Sequence, residues 1–133
     1  MSTSYTIPTD GLTEATSIAL AESLQWAQVH TSLMGDAIAT AYVCQGQELP
    51  PILLLHGFDS SAMEFRRLFP HLAKQAQTWA VDLLGFGFTE RPDGLEISTG
   101  AIQQHLYAFW KMAIQRPVVL VGASMGGAAA IDL

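Results

Sequence analysis

Short, continuous runs of apolar residues mark the second half of the chain. They occupy residues 52–55 and 118–121, and residues 78–83 form a third, mostly apolar stretch that includes Thr78 and Asp82. A run without polar alternation is typical of a strand buried on both faces, as in a parallel sheet covered by helices. We therefore predict three buried strands at these positions.

The segments between these runs have helical periodicity. Ser61, with Glu64 three residues later, has the pattern of a capping box at the start of the first helix. Pro70 should kink or split that helix, because proline cannot donate a backbone hydrogen bond and clashes with the preceding turn. The apolar positions recur at helical spacing in Phe65, Leu68, Phe69, Leu72 and Ala76.

A second helix is predicted to begin near Ser98 and to end before Pro117. Its apolar face comprises Ile102, Leu106, Phe109, Trp110 and Ile114. A third helix follows the last strand, starting at the alanines after residue 127. Strands that alternate with helices in this way indicate an α/β fold with a parallel sheet.

The first part of the chain has a different character. Residues 1–24 form an N-terminal extension in which residues 12–24 favour a short helix. Residues 26–33 and 37–44 are two candidate strands, with a turn at Gly35 and Asp36. The domain proper is thus predicted to run over residues 25–133.

The distribution of charge along the chain argues against polyanionic partners. The chain of 133 residues is 50% hydrophobic and has a net charge of −6. All six Lys and Arg residues lie at or after Arg66, and seven acidic residues precede it. Because nucleic acids and anionic membranes are bound by clustered cations, neither is an expected partner.

The sequence also carries no marker of a membrane or of an oxidising compartment. No apolar run approaches the roughly 18–20 residues of a membrane span, and the first ten residues lack the features of a secretory signal. The single cysteine, Cys44, excludes an internal disulfide and a cysteine-based zinc site. A cytoplasmic location is the expectation.

Candidate chemistry lies at the end of the third apolar run. Gly122-Ala123-Ser124-Met125-Gly126 is a G-x-S-x-G pattern between a predicted strand and a predicted helix. A nucleophile elbow needs this setting, because a sharp turn exposes the serine Oγ and the glycines remove Cβ atoms where backbones pass closely. The alternative is a small-residue turn that only lets the helix pack closely on its strand.

Three blocks together resemble the α/β-hydrolase superfamily, in its serine-nucleophile, esterase- or lipase-like form. His56-Gly57-Phe58 resembles the oxyanion turn, residues 82–92 resemble the D-x-x-G-x-G-x-[ST]-x-x-P loop, and residues 122–127 resemble the elbow. The resemblance implies the N-terminal half of the family sheet. Antiparallel strands would come first, then parallel strands that alternate with helices, ending in the helix after the elbow.

The resemblance also implies roles for individual residues. Ser124 would be the nucleophile, and the backbone N–H groups of Phe58 and Met125 would form the oxyanion hole. His56 would shape its turn without transferring a proton, and Gly57 would let the Phe58 backbone turn towards the substrate. Structural roles are implied for Asp82, Gly85, Gly87, Gly122, Gly126 and Gly127, and Arg91 would tie its loop to neighbouring backbone.

Serine as the nucleophile narrows the chemistry. The family's dehalogenases and epoxide hydrolases use aspartate there, so Ser124 points instead to an acyl-enzyme formed on an ester, thioester or similar small molecule. Phe58, Phe86, Phe88 and Met125 would favour an apolar acyl portion. No cofactor or metal is implied. A dinucleotide fingerprint starting at Gly85 is excluded, because Glu90 occupies the third glycine position.

The rest of a catalytic triad is not found after the nucleophile. On this fold an acid and then a histidine follow the serine, but residues 125–133 contain no histidine, and Asp132 lies too far along its helix. His71 is expected to be a surface or half-buried helix residue, His105 is expected at the surface of its helix, and His30 is expected to be structural. The expectation is an N-terminal fragment that is inactive without its C-terminal half or a complementing chain.

Two alternatives stay open from the sequence. One is a non-catalytic half-domain that buries its exposed sheet edge on a partner. The other is an acyltransferase or a cofactor-free peroxidase on the same fold.

Overall fold

A computed structural model describes residues 2–3 and 14–123, and its centre is a six-stranded sheet with the order β1-β2-β3-β5-β4-β6. The strands are β1 Ser2–Thr3, β2 Gln25–Val29, β3 Ile38–Gln45, β4 Ile52–Leu55, β5 Thr78–Val81 and β6 Val119–Gly122. β1, β2, β3 and β5 pair in antiparallel fashion, whereas β4 is parallel to both β5 and β6. The predicted α/β architecture, with antiparallel strands followed by parallel ones, is confirmed.

The apolar run of β4 is explained by its place between β5 and β6. Leu53 and Leu55 point into one core and Leu54 into the other, and all three are fully buried. Because side chains alternate across a strand, a strand covered on both faces needs apolar residues at every position. β6 has β4 as its only partner among the described strands.

Helices cover the two faces of the sheet. On one face lie α1 Ala15–Glu22, a 3-10 turn at Ala62–Phe65 and α2 Leu68–Ala73, which bury Leu20, Phe65 and Phe69. On the other lies α3 Thr99–Phe109, which buries Ile102, Leu106 and Phe109. Each face thus has its own apolar core.

The element boundaries agree with the sequence pattern except near turns. The helix predicted within residues 12–24 is confirmed at Ala15–Glu22, and the predicted hairpin is confirmed with strands that begin or end a few residues away. The first long helix is split, as the proline predicted, into the 3-10 turn and α2. Pro70 lies in the first turn of α2, where its missing N–H costs little.

The second long helix begins as predicted but changes its winding. Ser98 caps α3 by accepting a hydrogen bond from Ala101 N–H (3.1 Å). After Phe109 the chain continues as one π-helical stretch, Trp110–Ile114, and Gln115 ends it in the left-handed region at φ 62°. No helix of the described residues is long and apolar enough to cross a bilayer.

One prediction on α3 is wrong. The sequence places His105 at the surface beside Gln104, but it is only 1% exposed and its Nε2 lies 2.8 Å from Thr40 Oγ1 on β3. The cause is its spacing, since it lies three residues after Ile102 and one before Leu106, inside the apolar stripe.

Candidate active site

The ends of two parallel strands lie side by side at one edge of the sheet. Leu55, the last residue of β4, pairs with Gly122 of β6, and Ala123 N–H donates to Leu55 carbonyl oxygen (3.0 Å). The turn after β4 therefore starts beside the place where the chain leaves β6 towards Ser124. The predicted residues Ser124, Met125, Gly126 and Gly127 lie outside the described residues.

His56 is held in one tautomer by a backbone donor. It is fully buried, and its Nε2 accepts a hydrogen bond from Leu83 N–H (2.9 Å). A backbone amide can only donate, so Nε2 carries no proton and Nδ1 carries it. Nδ1 lies 2.8 Å from Gly57 carbonyl oxygen, which is therefore the acceptor. Both ring nitrogens of His56 therefore have backbone partners.

The Gly57–Phe58 peptide is oriented by this contact. In a trans peptide the carbonyl and the following N–H point in opposite directions, so holding Gly57 oxygen against His56 directs Phe58 N–H away from that ring. Phe58 N–H has no acceptor within residues 14–123. Among the described residues it is thus a donor without a partner, in the turn where the sequence predicts one half of an oxyanion hole.

Glu64 holds the same turn from the other side. Its Oε1 accepts a hydrogen bond from Gly57 N–H (3.0 Å). The predicted capping box is correct for Ser61, which accepts from Met63 N–H (3.1 Å), but wrong for Glu64. This contact spans seven residues and reaches from the 3-10 turn to the end of β4, so a local capping pattern could not reveal it.

Asp82, directly after β5, accepts hydrogen bonds from two separate loops. Its two carboxylate oxygens accept from Ala62 N–H (2.6 Å) and Phe88 N–H (2.7 Å). Burial raises the pKa of Asp82, and the two amide hydrogen bonds oppose that rise. A carboxylate that accepts from two amides ties the start of the 3-10 turn to the loop after β5.

The glycines of this loop are required by space and by backbone angle. Gly87 has φ +58°, and a Cβ on it would overlap the Asp82 carboxylate. Gly85 has φ +89°, and its Cβ would lie 2.8 Å from Ile97 Cγ2. Arg91 donates a hydrogen bond to Gly85 carbonyl oxygen, so it ties its loop to backbone as predicted.

Three phenylalanines lie near this edge. Phe86 packs edge-on against His56 and Phe58, with ring centroids 5.8 and 5.5 Å apart. Phe58 is 72% exposed and Phe88 is 46% exposed. Phe86 and Phe88 also line an open cleft of about 740 Å³ between the two loops. Phe58 and Phe88 thus have accessible ring surface, and Met125, the fourth predicted apolar residue, lies outside the described residues.

The remaining histidines are not part of this group. His30 and His71 are exposed, on the chain after β2 and on α2, and His105 is buried against Thr40. Burial lowers the pKa of His105 to about 4. Within the described residues, no group of three or more His, Cys, Asp or Glu side chains could hold a metal ion.

A protein-family comparison agrees with the geometry. The model of the alpha/beta hydrolase fold matches residues 50–131, which is more than half of the chain. The chain belongs to the α/β-hydrolase fold family. The match includes all three sequence blocks that form or lead to the site.

Individual relatives support the same assignment. The chain is 37% identical over 110 residues to alpha/beta hydrolase domain-containing protein VTE7 of Arabidopsis thaliana, covering 82% of this chain and 33% of that protein. It is 33% identical over 118 residues to a 2-hydroxy-6-oxo-6-(2'-aminophenyl)hexa-2,4-dienoic acid hydrolase of Metapseudomonas resinovorans, covering 86% and 40%.

A solved structure shows the same fold. A thermophilic esterase from Thermogutta terrifontis matches with a TM-score of 0.71 and 27% identity, over 80% of this chain and 39% of the esterase. The chain thus spans between a third and two fifths of the length of the relatives it matches.

Proposed function

We propose that this α/β hydrolase attacks an acyl compound with Ser124 and passes through an acyl-enzyme. Ser124 Oγ would add to the carbonyl carbon, and the oxygen of that carbonyl would take up negative charge. Phe58 N–H and Met125 N–H would stabilise that charge, and collapse of the tetrahedral intermediate would expel the alcohol or thiol. Water would then release the acid.

The observation that carries this proposal is the oriented peptide at Gly57. Its carbonyl is held by His56, and Phe58 N–H has no acceptor within the described residues, at the sheet edge where β6 leads to Ser124. A preorganised donor beside a developing charge requires no reorganisation during the reaction. A turn with only a structural function has no need for such a donor.

Two further observations favour an acyl substrate with an apolar portion. The exposed rings of Phe58 and Phe88 offer apolar surface on the two loops, and Phe86 packs against the Phe58 ring. Among the similar proteins, one is an esterase and another hydrolyses a hexa-2,4-dienoic acid that bears an oxo group. Ester, thioester and carbon–carbon hydrolysis all begin with attack on such a carbonyl.

Neither residues 125–133 nor His56 can take the proton of Ser124 Oγ. Residues 125–133 contain no histidine, and His56 uses both ring nitrogens inside its turn. The function therefore has to be tested on the natural protein in a way that reports the nucleophile directly.

The test is intact-mass spectrometry after treatment with a fluorophosphonate. We expect one adduct per chain on the natural protein and none on Ser124→Ala. Ser98→Ala is a suitable control, because that serine caps α3 by accepting a hydrogen bond from Ala101 N–H. An adduct that survives in Ser124→Ala would remove Ser124 from the mechanism, and a natural protein that stays unlabelled would mean that the chain needs a partner for activity.

A further inference from the structure

We infer that Glu64 is a positioning residue of the oxyanion turn, which fixes the direction of Phe58 N–H through its hydrogen bond to Gly57 N–H. The inference rests on the proposed function, since it concerns the donor that this function assigns to Phe58. It adds a residue outside the three sequence blocks to the machinery of the site.

Local capping does not explain where the Glu64 carboxylate lies. The amides at the start of the 3-10 turn already have other acceptors, since Asp82 accepts from Ala62 N–H and Ser61 accepts from Met63 N–H. Glu64 reaches instead to Gly57, seven residues earlier, with Oε1 at 3.0 Å from the amide nitrogen. The helix cap is complete without it.

The two hydrogen bonds at Gly57 act on different peptide planes. Glu64 holds the N–H of the His56–Gly57 peptide, and His56 Nδ1 holds the carbonyl of the Gly57–Phe58 peptide. The φ and ψ angles of Gly57 are the two rotations between those planes. Glycine has the widest choice of these angles, so both planes have to be held if Phe58 N–H is to keep one direction.

This arrangement depends on an acceptor oxygen and not on a negative charge. Gln at position 64 offers the same Oε1 and should keep the hydrogen bond, whereas Ala removes it. The side chain of Glu64 is exposed, so its charge is screened by water. A comparison of Glu64→Gln with Glu64→Ala therefore distinguishes the loss of an acceptor oxygen from the loss of a negative charge. Glu22, exposed at the end of α1, supplies the matched control Glu22→Ala.

The first experiment measures labelling by a fluorophosphonate and turnover of a p-nitrophenyl ester by the natural protein. We expect Glu64→Ala to lower the labelling rate and kcat about tenfold or more, with KM changed less than about twofold, because a misdirected oxyanion donor weakens only transition-state binding. Glu64→Gln and Glu22→Ala should stay within about twofold of the natural protein. Full activity in Glu64→Ala, or a loss that Glu64→Gln does not rescue, would overturn the inference.

The second experiment does not depend on activity. Amide hydrogen exchange and two-dimensional NMR would follow Gly57 and Phe58 in the same variants. We expect faster exchange at Gly57 and a shifted, broadened Phe58 signal in Glu64→Ala, and unchanged signals in Glu64→Gln. An unperturbed Phe58 signal in Glu64→Ala would refute the positioning role. If the Phe58 signal moves in Glu64→Ala but the natural protein forms no Ser124 adduct, the proposed function fails while the positioning role of Glu64 stands.

Discussion

Gly87→Ala should be among the most damaging single-methyl changes in this chain. Gly87 has φ +58°, and a methyl group there would overlap the carboxylate of Asp82. Asp82 would have to move away from Ala62 N–H and Phe88 N–H, which donate hydrogen bonds to its carboxylate at 2.6 and 2.7 Å. The change therefore adds a steric and hydrogen-bonding cost to the ordinary backbone cost of a left-handed alanine.

The size of the effect follows from these two costs. A left-handed conformation costs a non-glycine residue about 1–2 kcal/mol, and weakening hydrogen bonds to a charged group adds about 2–3 kcal/mol. Gly94 provides the matched control, because it has φ +79° and a methyl group on it would have no neighbouring atom within 4 Å. Gly94→Ala should cost only about 1–2 kcal/mol.

The assay is urea-induced unfolding of the natural protein and both variants, followed by tryptophan fluorescence. We expect the free energy of unfolding of Gly87→Ala to lie about 2–3 kcal/mol below that of Gly94→Ala. In an Asp82→Ala background, where the overlap is absent, the two substitutions should cost about the same. Equal effects of the two substitutions on the unmodified background would refute the reasoning.

Two further predictions concern titratable groups whose pKa is shifted by burial. Because burial lowers the pKa of His105 from 6.5 to about 4, the unfolded chain binds its proton first, so about 3 kcal/mol of stability should be lost as pH falls from about 6.5 to about 4. Urea unfolding across this pH range measures the loss. If the free energy of unfolding of His105→Gln falls equally steeply with pH, the prediction is wrong. Burial also raises the pKa of the Cys44 thiol to about 11, so iodoacetamide at pH 8 should alkylate the folded protein about 100-fold more slowly than a free cysteine, and rapidly only in urea. Fast alkylation of the folded protein would disprove this.

The strands were predictable where burial alone determines the residue type. The run Ile52–Leu55 is found as a strand at its predicted boundaries, because both faces of β4 are covered and every position must be apolar. The π-helical end of the second long helix was not predictable. Trp110 and Ile114 keep the spacing of an α-helical face, so the apolar pattern does not report how the backbone winds there.

The errors at His105 and Glu64 have a common physical origin. Each side chain has its partner on a distant element, Thr40 for His105 and Gly57 for Glu64. A local pattern predicts the environment of a residue from its neighbours in sequence. It therefore predicts that a polar residue such as His105 is exposed and that an acid near a helix start, such as Glu64, caps the helix. The stripe itself held a signal for His105, because its spacing from Ile102 places it on the buried face.

Each of the three sequence blocks was recognisable separately. In the structure, hydrogen bonds join the blocks at residues 56–58 and 82–92 into a single unit. Leu83 N–H sets the tautomer of His56, and that tautomer orients the Gly57 carbonyl. The neighbouring Asp82 anchors the 3-10 turn that carries Glu64, which holds Gly57 from the other side. The end of β5 therefore supports both contacts that direct Phe58 N–H. A substitution that displaces Asp82 or Leu83 should therefore change the direction of Phe58 N–H.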